Sequence, residues 1–482
     1  MKYLMGMIAA LFFAFNAGAA TLPGTVKQSL KQAGIPLSGV AIEVREAGGR
    51  KALVSLNARQ TMNPASTMKL LTTYAALDML GPAYQWKTEA WLDGELKDGV
   101  LDGDLVLKGY GDPKFTLEQF WLWLRELRAR GLHEIRGDLV LDRSFFELPP
   151  HDPAAFDNDP VRAYNVGPDA LLLNFNTLHL RYLPDGNGMK IISEPPLEGM
   201  RLDNRLAPQS AHGASKNNCN NWDDGILVQL GGDSVVLQGG YPGECGEREH
   251  HLSVMPHTRY MEAVFRALWQ ELGGSLQGKQ REGRASGNAQ LFSTHYSEPL
   301  SAVIRDINKF SNNVMARQLF LTLGADVSLP SHLMGEGAGE RVASTNIERS
   351  GNAVREWLRK QRLDFPELVL ENGAGLSRTE RISAAHLAQL LQHAAAHPLS
   401  AEFEASLPIL GVDGSVKKRL RESAAASHAH LKTGTLEGVK TIAGYVRSQG
   451  GKEWVVVFLI NHPNAKYGQA AQDALVEWVR GR

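Results

Sequence analysis

At 482 residues the chain is too long for one ordinary domain, so roughly two or three domains are expected. Its content of 43% hydrophobic and 21% charged residues is typical of a globular protein and excludes a disordered or fibrous one. The formal net charge of −1, with no basic block and no acidic tail, gives no electrostatic basis for binding nucleic acid or an anionic membrane.

The first twenty residues differ in character from the rest of the chain. Lys2 is their only charged residue, residues 5–15 form an apolar run, and the small residues 17–20 follow. This pattern predicts a secretory signal peptide over residues 1–20, cleaved near residue 19 or 20. A transmembrane anchor is disfavoured, because the apolar run is well short of the roughly 20 residues that span a bilayer. We therefore expect an exported protein without a transmembrane anchor.

Cys219 and Cys245 are the only cysteines in the chain. Their spacing lacks the C-x-x-C pattern of redox and metal motifs, and a pair of cysteines fits export into an oxidising compartment. We predict that they form a structural disulfide, worth about 3 kcal/mol by the chain-entropy estimate.

In chain order, the first predicted elements are a strand over residues 39–45 and a helix that begins near Ser66 and ends at Gly81. From about residue 86, short alternating segments separated by Gly and Asp predict a β-rich region, interrupted by a helix over 115–130. Helical periodicity returns near residue 255, and further helices are predicted at 260–272, 301–310, 314–323 and around 353–361.

The C-terminal part alternates again between strands and a helix. Strands are predicted from Leu431, over 440–446 and over 454–460, and a closing helix over 469–480. The run VVVFLI is apolar at every position, as in a strand buried on both faces.

The simplest architecture is an α/β (α+β) domain made from both ends of the chain, with an antiparallel sheet flanked by helices. The predicted domain bounds are 21–85 and 291–482 for its two parts and 86–290 for a β-rich insertion, with a further sub-insertion around 185–255.

Ser66 and Lys69 form an S-x-x-K pattern at the predicted start of a helix, which places Lys69 one turn later on the same face. A serine hydroxyl needs a base to become a nucleophile, and a lysine serves if burial and a neighbouring cation depress its pKa. A second match begins at Ser415, but it precedes a run of basic residues that is more typical of a solvated face.

Lys432-Thr433-Gly434 stands at the start of a predicted strand. Lys432 can supply both the neighbouring cation and a fixed charge for a substrate carboxylate, and Gly434 allows a substrate backbone to lie along the strand. Seen alone, the motif fits an ordinary exposed lysine on a strand equally well.

The pattern S-x-N is nearly uninformative by itself, since it begins at Ser55, Ser215, Ser286, Ser311, Ser344 and Ser350. We select Ser311 and Asn313 because they fall between two predicted apolar helices, where a loop can present side chains to a cleft. There Ser311 can pass a proton between Lys69 and a leaving nitrogen, and Asn313 can donate to a substrate carbonyl and orient Lys69.

In this order the three elements match the set found in class A β-lactamases and penicillin-binding proteins. The chain resembles the class C low-molecular-mass penicillin-binding proteins, the D-alanyl-D-alanine carboxypeptidase/endopeptidases of peptidase family S13. The resemblance covers nearly the whole mature chain. It rests on PASTMK, GDLVLKGYGDP, IRGDLVLDRSFF, FSNN, ENGAGLSR, GVDGS, KTGT and GVKTIAGYV.

The resemblance implies a periplasmic serine DD-peptidase that forms an ester on Ser66 and cleaves D-Ala-D-Ala termini, D-Ala-diaminopimelate cross-links, or both. The backbone N–H groups of Ser66 and Thr435 would form the oxyanion hole, and Thr433, Gly434 and Thr435 would bind substrate. Peptidoglycan peptides are the implied substrates, and β-lactam antibiotics the implied covalent inhibitors. The resemblance further implies that Asp142 and Arg378 hold the zwitterionic end of a diaminopimelate side chain.

Two other functions stay open at this point: a serine β-lactamase, and a non-catalytic peptidoglycan-binding protein that keeps the fold. The E-x-x-L-N pattern of class A β-lactamases is absent, and intact Ser66, Lys69 and Lys432 argue against a mere binding module. No cofactor and no metal ion is expected, because the fifteen histidines include no H-E-x-x-H pair.

Overall fold

The computed structural model describes residues 22–185, 188–209, 219–325 and 345–482. The predicted signal peptide lies outside these residues. None of the helices in the described ranges is long and apolar enough to cross a membrane.

Ten α-helices and twenty strands are formed by the described residues. The helices are α1 (Gly24–Gln32), α2 (Lys69–Leu80), α3 (Leu117–Ala129), α4 (His257–Glu271), α5 (Leu300–Phe310), α6 (Asn313–Leu323), α7 (Asn346–Lys360), α8 (Ala384–Ala395), α9 (Ser400–Ser406) and α10 (Gln469–Arg480). The strands are β1 (Val40–Glu46), β2 (Ala52–Leu56), β3 (Thr61–Met62), β4 (Lys87–Lys97), β5 (Val100–Gly109), β6 (Glu134–Ile135), β7 (Leu139–Asp142), β8 (Leu178–Asp185), β9 (Gly188–Glu194), β10 (Arg201–Gln209), β11 (Ile226–Gly231), β12 (Ser234–Pro242), β13 (Arg248–Leu252), β14 (Ser275–Leu276), β15 (Gln280–Glu282), β16 (Gln290–Tyr296), β17 (Ile382–Ser383), β18 (Ala429–Leu436), β19 (Val439–Arg447) and β20 (Glu453–Asn461).

A five-stranded antiparallel sheet, in the order β18-β19-β20-β1-β2, joins the two ends of the chain. The apolar run over residues 455–460 lies in its middle strand, β20, as expected for a strand buried on both faces. Val457 faces a core shared with α2, α5, α6 and α8, whereas Phe458 faces a second core shared with α1 and α10. The mixed α/β fold with an antiparallel sheet between helical layers is thus confirmed.

Helix α2 lies inside its helical layer, where ten of its twelve residues are buried. The sequence predicts an apolar stripe along this helix, but neighbouring helices cover the remaining sides as well. Its first residue, Lys69, is therefore withdrawn from solvent.

The β-rich middle of the chain forms its own hydrophobic core, whose buried residues run from Ala90 to Trp269. A seven-stranded sheet, two three-stranded sheets and helices α3 and α4 surround this core. Strand β16 pairs with β4 and extends the larger sheet to Tyr296. A boundary drawn at residue 290 would cut this strand off, so we propose that the insertion ends after Tyr296.

Cys219 and Cys245 form a disulfide, as predicted, with their Cα atoms 5.6 Å apart. The bond ties the segment before β11 to the segment after β12, within the insertion.

The insertion packs against helix α6. The Gln318 side chain accepts the N–H of Asp169 at 2.9 Å and donates to the carbonyl of the same residue at 2.7 Å. Phe146 packs on Leu321 beside this pair. The insertion thereby fixes the helix that begins with Asn313.

Gln318→Leu is expected to lower the free energy of unfolding by about 2 kcal/mol, because two buried backbone groups of Asp169 lose their partner. Urea denaturation followed by tryptophan fluorescence measures this change. The matched control is Gln469→Leu at an exposed position, which should shift stability by no more than about 0.5 kcal/mol. Equal effects of the two substitutions would contradict the account of this interface.

Candidate active site

Ser66 lies in a short 3₁₀ turn, Ala65–Met68, directly before α2. Ala65 adopts a left-handed conformation (φ +45°), and the Thr67 hydroxyl donates to the carbonyl of Pro64 at 2.6 Å. A strained non-glycine residue of this kind persists only where the surroundings enforce it, and such residues cluster at functional sites. The turn leaves the Ser66 side chain partly exposed while its neighbours are buried.

The fully buried Lys69 side chain reaches three oxygen atoms. Its Nζ lies 3.1 Å from Ser66 Oγ, 2.6 Å from Asn313 Oδ1 and 2.5 Å from the carbonyl oxygen of Ala374. The structure therefore brings the S-x-x-K serine and lysine together with the asparagine selected from the S-x-N motif. The carbonyl of Ala374 is a partner that the sequence does not indicate.

Lys432 enters the same site from β18. Its Nζ donates to Ser311 Oγ at 2.9 Å and to the carbonyl of Thr433 at 2.8 Å. Ser311 ends α5 in a left-handed conformation (φ +58°), and two residues later Asn313 begins α6. The tight turn between these helices places Ser311 on Lys432 and Asn313 on Lys69.

Strand β18 passes directly against the turn that carries Ser66. A methyl group at Gly434 would lie 2.7 Å from the backbone nitrogen of Ser66, so only glycine permits this approach. Thr433 Oγ1 donates to Ser415 Oγ at 2.7 Å, and Thr435, which follows Gly434, is exposed. Ser415 is exposed, and its position before a basic run does not indicate this contact.

The loop that supplies the Ala374 carbonyl is held by Glu380, whose side chain is fully buried. Glu380 Oε1 accepts three successive backbone N–H groups, from Glu371 at 3.1 Å, Asn372 at 2.9 Å and Gly373 at 2.8 Å. The motif ENGAGLSR contains this loop, but the sequence does not indicate that the Ala374 carbonyl oxygen reaches Lys69.

Burial, followed by the positive charge of Lys432, holds the pKa of the Lys69 amine well below its ordinary value. The guanidinium of Arg317 acts in the same direction, whereas the carboxylate of Glu380 opposes it. Burial also lowers the pKa of Lys432, to about 7. The site therefore holds two amines that both change protonation more readily than ordinary lysines.

Asp142 and Arg378 are not joined by any contact that the described part of the chain records. Asp142 is buried at the end of β7, where its carboxylate accepts the N–H and hydroxyl of Ser144 at 3.0 and 2.6 Å. Arg378 lies 4.7 Å from the ring centroid of Phe156, and its Nη2 is 3.6 Å from Glu437 Oε2.

A cavity of about 510 Å³ lies beside the loop over residues 371–379 and is lined by Arg378, Phe156 and Arg317. Arg317, which lines this cavity, also acts electrostatically on Lys69. Asp142 is not among its lining residues.

A partly exposed serine beside a buried amine, in a helix-flanked antiparallel sheet with a large insertion, defines a serine-type peptidase with the DD-peptidase fold. A family model described as the D-Ala-D-Ala carboxypeptidase 3 (S13) family matches residues 22–481. The chain belongs to this family, and the resemblance noted from its motifs is confirmed.

Curated relatives agree with this assignment. The chain is 25% identical to D-alanyl-D-alanine carboxypeptidase DacB of Haemophilus influenzae, over 88% of this chain and 85% of that protein. It is 26% identical to the D-alanyl-D-alanine carboxypeptidase of Actinomadura sp. strain R39, over 98% of this chain and 87% of that protein. The protein is a serine-type D-Ala-D-Ala carboxypeptidase.

The fold is similar to that of penicillin binding protein 4 from Haemophilus influenzae. The TM-score is 0.75 at 23% sequence identity, over 94% of this chain and 99% of that chain.

Gly375→Ala is expected to reduce release of D-alanine from a D-Ala-D-Ala peptide by about 100-fold, as for a catalytic group displaced by about 1 Å. Gly375 has φ +76°, and an added methyl would lie 1.9 Å from the carbonyl oxygen of Ala65. The matched control is Gly246→Ala, at φ +67° with nothing within 4 Å of the added methyl. This control bears a similar backbone strain without the clash, so comparable losses in both variants would refute the steric argument.

Proposed function

We propose that the protein hydrolyses D-Ala-D-Ala termini and D-Ala-diaminopimelate cross-links of peptidoglycan through an acyl ester on Ser66. The single observation that carries this proposal is the buried amine of Lys69, held 3.1 Å from the partly exposed hydroxyl of Ser66. The remaining groups of the site can then be assigned by what they touch.

Lys69 acts as the general base for acylation. Asn313 Oδ1 and the Ala374 carbonyl take up two of its N–H bonds, so the lone pair of the neutral amine is left to point towards Ser66. The amine accepts the hydroxyl proton as Ser66 Oγ bonds to the substrate carbonyl carbon. A base whose pKa is depressed holds this neutral form near neutral pH.

The developing oxyanion is stabilised by the backbone N–H groups of Ser66 and Thr435. The close approach of Gly434 to the Ser66 nitrogen supports this role, because it brings β18 alongside the nucleophile. Lys432 and Thr433 bind the terminal carboxylate of the substrate, and the substrate backbone lies along β18.

The tetrahedral intermediate collapses when the leaving nitrogen receives a proton. Ser311, whose Oγ is hydrogen-bonded to Lys432, delivers this proton and takes up the one that Lys69 accepted. Water then attacks the ester and gives its proton to Lys69, which passes it to Ser66 Oγ as the ester bond breaks and the shortened peptide leaves.

β-Lactams acylate Ser66 in the same way, and their opened ring stays tethered in the site. A solved structure of penicillin binding protein 4 from Haemophilus influenzae, with a TM-score of 0.72 to this chain, contains a β-lactam. We further propose a periplasmic location, supported by the predicted signal peptide and by membership in a cell-wall peptidase family.

Arg378 is proposed to bind the carboxylate of a diaminopimelate side chain in the cavity that it lines with Phe156. The carboxylate of Asp142 accepts the hydroxyl of Ser144, which follows β7, so its assignment as the partner of Arg378 rests on the family resemblance alone.

Ser66→Ala is expected to abolish covalent labelling by a fluorescent penicillin, because no oxygen nucleophile then lies beside Lys69. Labelled protein is measured after denaturing gel electrophoresis. The control is Ser415→Ala, which alters the other S-x-x-K match. We expect this variant to keep one label per chain, because Ser415 contacts Thr433 and not Lys69.

Failure of the wild type to label would sink the assignment of a penicillin-binding serine. Rapid hydrolysis of the penicillin, in place of a long-lived acyl enzyme, would favour a β-lactamase. The two outcomes are separated by following label and free hydrolysed penicillin in the same sample.

The pH profile of kcat/KM for D-alanine release is expected to be bell-shaped. Activity rises with pH as Lys69 loses its proton at a depressed pKa, and it falls as pH rises through about 7, where Lys432 loses the charge that binds the carboxylate. The two limbs belong to the coupled pair of amines.

Lys432→Arg tests the assignment of the alkaline limb, because a guanidinium stays charged throughout this range. The alkaline limb should move to higher pH in this variant, whatever its absolute rate. A limb that stays in place would show that a group other than Lys432 titrates there.

A further inference from the structure

Two histidines face each other on the outer side of the insertion. His179 in β8 is directly opposite His251 in β13, and their rings stack with centroids 4.3 Å apart and planes 7° apart. The neighbours Leu178 and Leu180 point to the opposite, buried face of the sheet. Both imidazoles therefore project from the same outward face.

A carboxylate lies beside this pair. Glu249 precedes His251 by two positions on β13 and so shares its face, because side chains alternate along a strand. Glu249 Oε2 lies 3.5 Å from His179 Nε2. One ligand atom from each of the three residues lies within 4.8 Å of the other two.

The local charges leave Glu249 available. Its directly opposite neighbour is Arg181, the expected partner of a cross-strand ion pair, but Arg181 Nη1 lies 3.8 Å from Glu247 instead. Nε2 of His179 is buried and has no hydrogen-bond partner. An unsatisfied imidazole nitrogen that faces a carboxylate and a second imidazole is an arrangement that an added cation would complete.

We propose that His179, His251 and Glu249 form a binding site for one divalent transition-metal ion of the Zn²⁺ type. Two imidazole nitrogens and one carboxylate oxygen are ligands that Zn²⁺ accepts at about 2.0–2.2 Å. The three ligand atoms now lie within 4.8 Å of one another and would have to move closer together around a tetrahedral ion. Modest side-chain rotations on this open face are enough for that. Water, or Glu194 from the neighbouring strand β9, which lies directly opposite His179, takes the fourth position.

The sequence search for metal motifs misses the site, because its ligands come from two strands far apart in the chain.

The metal would serve the insertion and not the peptidase reaction, since its ligands lie in a different sheet from Lys432. It would join β8 to β13, whose connection in the chain includes the Cys219–Cys245 disulfide. A ligand that binds only the folded state stabilises it by mass action. Zn²⁺ should therefore raise the melting temperature of the insertion.

Isothermal titration of the full-length protein with Zn²⁺, after treatment with a chelator, tests the proposal. One Zn²⁺ per chain is expected, with a rise in melting temperature. His251 and Glu249 are both exposed, so replacing either with Gln should leave the fold intact. His251→Gln and Glu249→Gln should each weaken Zn²⁺ binding by at least about tenfold, which is the loss seen when a residue that only hydrogen-bonds to a metal ligand is removed. His428→Ala, at an exposed position outside the cluster, should leave binding unchanged.

The proposal is overturned if the wild type binds no stoichiometric Zn²⁺, or if His251→Gln binds Zn²⁺ as tightly as His428→Ala does. Penicillin labelling of Ser66 should be the same in all of these variants, so the result does not depend on the peptidase assignment. Circular dichroism of the metal-free variants separates a lost ligand from a lost fold.

Discussion

The buried amine of Lys69 is the constraint on which the rest of the structure depends. A lysine withdrawn from water is unfavourable unless acceptors surround it, and here they come from three separate parts of the chain. The Ser66 turn, the start of α6 at Asn313 and the carbonyl of Ala374 must all arrive within hydrogen-bond reach. The fold is arranged so that each of these segments is held in place by its own supports.

Those supports lie outside the reacting groups. The insertion fixes α6 through Gln318, and the buried carboxylate of Glu380 fixes the loop that carries Ala374. Lys432 is similarly buried, but its amine donates a hydrogen bond to Ser311. The two amines therefore contact different hydroxyls, Lys69 that of Ser66 and Lys432 that of Ser311. In the proposed mechanism, this geometry separates the base that serves Ser66 from the cation that binds the substrate carboxylate.

Much of this could be predicted from the sequence, because it depends on local patterns. Neighbouring residues determine the strand periodicities, the helix after Ser66 and the break between α5 and α6. The role of the Ala374 carbonyl could not be predicted, since a backbone oxygen leaves no signal in the sequence. The full length of α7 was also missed, because it begins with the capping box at Thr345 and Glu348, ahead of its apolar stripe.

The central sheet draws β1 and β2 from near one end of the chain and β18 to β20 from near the other. During synthesis, the early strands emerge long before their hydrogen-bonding neighbours exist, and several hundred intervening residues must wait or fold independently. The Ser66 turn consequently has no finished cleft around it until β18 has been translated. Catalytic activity can thus arise only late in biogenesis, and truncated chains that end before Lys432 remain inactive.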